Sequence, residues 1–146
     1  MKTKYILLNI LMISIIFCSC EKAKTNLHKF HGVWEVINVD DIDNSSGALI
    51  SSHRDAGYFL LYDQEFVDAE NDCFYDSDST YTPYLMTALG SGGYCFWFIN
   101  TSGQIEFYNG TSTYQATIDR KGYNAMNWTF INGSNKEILY LERADV

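Results

Sequence analysis

The chain has 146 residues and a formal net charge of −8, with 47% hydrophobic residues, ten glycines and one proline. That is the size of one domain and short of two. Its 3 Trp, 11 Tyr and 9 Phe supply ample apolar area to bury, which excludes disorder, and the composition also excludes collagen-like, coiled-coil and polytopic membrane classes.

Lys2 and Lys4 precede an almost purely apolar run, Tyr5–Phe17. As a helix this run is too short for the ~30 Å hydrocarbon core, which needs about 20 residues. It has the anatomy of a secretory leader. Phe17-Cys18-Ser19-Cys20 follows and resembles the lipobox of bacterial lipoproteins, with Phe17 where Leu is usual. The resemblance implies a leader over residues 1–19 and lipidation of Cys20 with acyl chains such as palmitate. It implies anchoring in the envelope of a Gram-negative bacterium, on the periplasmic face of the outer membrane or else on the cell surface. Residues 20–29 read as the lipidated Cys and a polar tether, and residues 30–146 as the folded domain.

Loss of the leader removes Lys2 and Lys4 and leaves eight basic against 18 acidic side chains, a net charge of −10. Such a domain repels nucleic acid phosphates and anionic membrane surfaces, so lipid and not charge must hold it to a bilayer. The acids concentrate between Asp40 and Asp78, where Arg54 is the one base, and residues 79–105 carry no charged side chain. That arrangement either attracts a cationic partner or simply solvates a loop face.

Gly32–Val39 reads as a strand and Asp40–Gly57 as a long polar connection. Tyr58–Tyr62 is an apolar strand, resuming at Glu65-Phe66-Val67. Thr82-Pro83 opens a short helix, with Thr82 as cap, Tyr84, Leu85, Ala88 and Leu89 on one face, and Gly90 as its end. Tyr94–Ile99 is short, aromatic and reads as buried on both faces. Gln104–Tyr108, Thr113–Ile118, Asn124–Ile131 and Ile138–Leu141 complete the series, split by turns at Asn109-Gly110, Asp119–Gly122 and Asn132-Gly133. Tyr114, Ala116 and Ile118 alternate onto one face, as do Met126, Trp128 and Phe130. Short turns permit only antiparallel neighbours, so the reading is an all-β meander that closes into a barrel, with a β-sandwich as the alternative.

The Gly32-x-Trp34 strand and the closing Leu139-Tyr140-Leu141-Glu142-Arg143 strand are similar to those of lipocalin-like (calycin-type) domains. The resemblance spans roughly residues 30–143. It implies that Trp34 is a structural plug at the closed end of a barrel, and that the open end forms a calyx for a small apolar or amphipathic ligand. Tyr58, Phe59, Tyr62, Phe96, Trp97 and Phe98 are the pocket candidates, each equally suited to core packing. Tyr75, Tyr81 and Tyr84 lie outside the clear strands and suit a surface rim.

Cys73 and Cys95 remain after processing, an even count that suggests a disulfide in an oxidising compartment, with two buried thiols as the alternative. Asp68, Glu70 and Asp72 alternate like a calcium loop, but Cys73 and Ser79 stand where an EF-hand needs Gly and Glu, so they are weak calcium candidates and no metal is assigned. No nucleophile elbow, P-loop or zinc motif is present, so the chain reads as noncatalytic, without a cofactor. The expected form is a monomer that binds a small apolar ligand. The alternative is an acidic protein-binding module with a basic protein as partner: Gly90–Tyr94 resembles the Ser-Gly-rich loop of small acidic barrel lipoproteins that inhibit lysozyme, although the basic residue and glycine those proteins carry after the next strand are absent.

Overall fold

The computed structural model describes residues 29–62, 71–78 and 80–144. The leader, Cys20, the tether up to His28, the run Glu65–Val67, and Asp68 and Glu70 lie outside the described residues. Compactness divides the chain into Met1–Phe30, of which a turn at Lys29 and Phe30 is described, and His31–Val146, which holds all the regular structure below.

Among the described residues the strands are β1 (Gly32–Asp43), β2 (Leu49–Arg54), β3 (Tyr58–Leu61), β4 (Asn71–Asp76), β5 (Tyr94–Ile99), β6 (Ile105–Tyr108), β7 (Thr113–Arg120), β8 (Ala125–Asn132) and β9 (Asn135–Arg143), with one helix, α1 (Tyr84–Leu89). Every neighbouring pair is antiparallel, and β9 returns to pair with β1, which closes the sheet into a barrel. β3 lies along Gly32–Glu35 and β2 along Asn38–Ile42 on the same edge of β1, so the two act as one broken strand and the barrel has eight positions. The meander from β5 to β9 follows the sequence reading closely, because alternating side chains and short turns leave little choice of register.

The N-terminal half departs from that reading. β1 runs on to Asp43, and β2 occupies part of what reads as a polar connection. Polar residues hold this pair together: the Ser52 hydroxyl donates to Asp40 Oδ1 at 2.7 Å, and Ser51 to Asp41 Oδ2 at 2.7 Å. Tertiary pairing overrides the low strand propensity of Asp and Ser. β4 is likewise a strand within the acidic segment, with Asn71, Cys73 and Tyr75 turned inward.

The interior is filled by side chains from the inward faces of the strands. Phe59, Phe107 and Trp128 form an aromatic triangle with ring centroids 4.9–5.7 Å apart. Trp34, Trp97, Leu61, Ile105, Leu139 and Leu141 pack around it and are essentially inaccessible. Trp34 sits toward one end, where the Arg143 guanidinium lies 4.7 Å from its ring centroid and donates to the His31 carbonyl. Gly32 adopts φ +130°, and a Cβ there would meet Arg143 Nη1 at 3.2 Å, so the Gly-x-Trp pattern has a local physical cause. α1 covers the opposite end with Leu85, Met86 and Leu89 buried.

The break between β2 and β3 is a bulge at Asp55-Ala56-Gly57, where Ala56 is buried and Asp55 has φ 54°. Gly57 has φ +114°, and a Cβ there would sit 2.0 Å from the Asp76 carbonyl oxygen. Gly47 also has a positive φ, +72°, but has nothing within 4 Å. Gly47→Ala should therefore cost only backbone strain, about 1 kcal/mol. Gly57→Ala must also push β4 from β3 and should cost more than about 3 kcal/mol, measured as a drop in urea unfolding midpoint; equal costs at the two positions would contradict the crowding at the bulge.

Candidate functional site

The six pocket candidates do not converge on one cavity. Phe59 and Trp97 are part of the packed interior, whereas Tyr58, Tyr62 and Phe98 are 42%, 45% and 43% exposed on the outside of the barrel. Phe96 is half-buried on the same outer face. β5 is thus buried on one side only: Cys95 and Trp97 face in, and Tyr94, Phe96 and Phe98 face out. An apolar run with no polar partner at alternate positions hides this division at the level of sequence.

The outer face of β3–β6 carries a run of aromatic rings. The register sets Leu60 beside Phe74 and Phe74 beside Tyr94, then Asp72 beside Phe96 and Phe96 beside Tyr108. Phe74 packs edge-on against Tyr94 and Tyr94 edge-on against Phe96, both with centroids 5.1 Å apart, and Phe96 stacks near Tyr108 at 6.4 Å. Such contacts add about 0.5–1.5 kcal/mol each beyond area burial. Phe74 and Tyr94 are each 40% exposed despite these neighbours, so the ladder is itself a surface. The Tyr94 hydroxyl donates to Asp72 Oδ1 at 2.6 Å, which places Asp72 within this face. Sequence reading misses Phe74 because the surrounding acids mask the strand β4.

Beneath the ladder, Cys73 and Cys95 are directly opposed in the β4–β5 register and joined by a disulfide, with Cα atoms 4.7 Å apart. Next to the bulge lies a cleft of about 620 Å³, lined by Val33, Ile37, Tyr58, Glu35, Asp55 and Asp76 among others. Tyr58 and Asp76 are register partners, so the cleft and the aromatic face are continuous. Among the described residues, no hydrogen bond or ion pair engages the carboxylates of Glu35, Asp55 or Asp76.

A second cluster lies under α1. Asp41 of β1 and Glu137 of β9 are register partners on the inner face, 5% and 1% exposed. Glu137 accepts from the backbone N–H of Tyr84 at 2.7 Å and of Leu85 at 3.1 Å. It therefore caps α1 from β9. Thr82, the expected cap, makes no such bond: Pro83 occupies the cap position with no local side-chain partner. The Tyr81 hydroxyl donates to Asp41 at 3.0 Å, and its ring stacks on His53 with centroids 3.7 Å apart. Burial, the Asp41 hydrogen bond and the Glu137 charge all push the Tyr81 hydroxyl upward from its ordinary range. Tyr75 too departs from its expected surface role, being buried with its hydroxyl on the Gly90 carbonyl, whereas Tyr84 is exposed.

Burial, aided by the Asp41 charge and opposed by the two N–H bonds, pushes Glu137 up to about 7. Both carboxylates are occupied by internal partners. Compared with protein-family models, with curated proteins and with solved structures, the chain matches none.

A carboxyl whose folded pKa exceeds its unfolded value favours the fold when protonated. Its contribution is complete below about 4.5 and is lost as pH rises through about 7. Asp43, held down at about 2 by Ser45 and Ser46, acts in the opposite sense and only at far lower pH. Wild-type stability should therefore fall by about 2 kcal/mol between about pH 5 and pH 8, and Glu137→Gln should largely flatten that slope. Urea unfolding across this range checks it, and parallel slopes for the two proteins would contradict the assignment.

Proposed function

We propose that this protein is a noncatalytic binding module, tethered by lipid on Cys20 to the periplasmic face of the outer membrane, that engages its partner through the outside of the barrel. The lipobox resemblance of Phe17–Cys20 supports the tether. The Gly32-x-Trp34 opening and the closure of the sheet support a lipocalin-like ancestry. One observation carries the placement of the binding surface: large aromatics fill the interior, while a second set, Tyr58, Phe74, Tyr94 and Phe98, stays about two-fifths exposed on one outer face. Contiguous exposed apolar surface of this kind marks interaction sites on folded proteins. Aromatic residues are also the type enriched at protein interfaces.

Two experiments test this reading. Cys20→Ser should move the chain from the membrane to the aqueous fraction and abolish incorporation of labelled palmitate; retention of both would remove the lipid tether. Native mass spectrometry of the full chain, purified in detergent and incubated with envelope extract, should show a species bound to wild type and lost in Phe74→Ala/Phe96→Ala. A mass of a few hundred daltons held equally by both proteins would instead place the ligand inside the barrel.

A further inference from the structure

The partner's chemistry follows from what surrounds the aromatic rings, given the reading of this outer face as the binding surface. Side chains facing outward from β3 to β6 include Asp72, Asp76 and Glu106 and no Lys or Arg. The cleft at the edge of the face has apolar walls at Val33, Ile37 and Tyr58, and its carboxylates come from Glu35, Asp55, Asp76 and Asp78 with no base among the lining residues. A phosphate-bearing ligand or an anionic bilayer would meet like charge there. The Phe74–Tyr94 and Tyr94–Phe96 pairs are edge-on, at 65° and 81°, so these rings do not form a flat platform for a sugar.

A cationic side chain meets favourable terms at both places: carboxylates at the cleft and ring faces along the ladder. The face is also too broad for a small cation alone, because β3 to β6 spans three inter-strand spacings, about 14 Å. We propose that this face docks a basic polypeptide segment, with an Arg or Lys side chain entering the cleft between β1 and β4 and neighbouring residues lying on the Phe74–Tyr94–Phe96–Tyr108 ladder. Each half supplies what the other lacks. The carboxylates draw the segment in over a distance that salt shortens, and the rings provide apolar area that salt does not screen.

Fluorescence anisotropy of a dye-labelled nona-arginine peptide tests this, using the full chain in zwitterionic detergent. The chain is acidic overall, so the decisive comparison holds total charge constant. Glu35→Gln/Asp76→Asn should weaken binding about tenfold at about 50 mM salt, and Asp43→Asn/Asp119→Asn, which removes the same charge at the far end of β1 and on β7, should change it less than about twofold. Phe74→Ala/Phe96→Ala should weaken binding about fivefold with no change in charge, and that loss should persist at about 300 mM salt. Unchanged urea midpoints establish that the exposed substitutions leave the fold intact. Equal losses for the two charge pairs, or no binding of the peptide, would overturn the proposal. If an envelope species still depends on Phe74 and Phe96 when the peptide fails to bind, only the basic chemistry falls; if neither binds, the outer-face reading falls with it.

Discussion

β1 is paired along both edges, with β3 and β2 on one side and β9 on the other, from Trp34–Arg143 to Asp43–Asn135. This double pairing removes the free edges that a meander of this length would otherwise expose. It also gives the sheet an inside and an outside, and alternation then assigns every strand residue to one or the other. A slip of one residue at the β1–β9 seam would bring Glu142 and Tyr140 inward and send Leu139 and Leu141 out, so the buried leucines lock the register they depend on.

That sorting sends one set of aromatic side chains to the interior and another to the outside. Phe59, Phe107 and Trp128 meet at the centre, with Trp34 and Trp97 packed around them and α1 over one end. β4 and β5 are held by the Cys73–Cys95 disulfide, and the ladder rings stand on the two strands that it joins. A cross-link of this sort fixes the spacing of the rings, which suits a preformed face.

The carboxylate pair beneath α1 has a different logic. A six-residue helix is too short to be stable alone, and it has no side-chain cap of its own. Glu137 of β9 satisfies two of its N–H groups, and Tyr81 bridges to Asp41. The barrel end is therefore closed by polar contacts at one side of α1 and by Leu85, Met86 and Leu89 at the other. Burying two neighbouring acids is costly, and the cost appears as the raised affinity of Glu137 for its proton.

The all-β class and the path of β5 to β9 are legible in the sequence, because period-two alternation in Thr113–Ile118 and Asn124–Ile131 and the Gly-bearing turns are local signals. For Cys73 and Cys95 it left a disulfide and two buried thiols open, and their opposition across β4 and β5 joins them. The sequence could not show that Asp40, Asp41 and Ser51 belong to strands, since their hydrogen-bond partners lie far along the chain. Nor could it say which side of Tyr94–Ile99 faces water, because an unbroken aromatic run carries no polar marker of its outer face. Only closure of the barrel decided that Trp97 is core and Phe98 surface, and that Glu137 caps a helix more than forty residues before it. Those are properties of which residues become neighbours in space, and no local pattern encodes them.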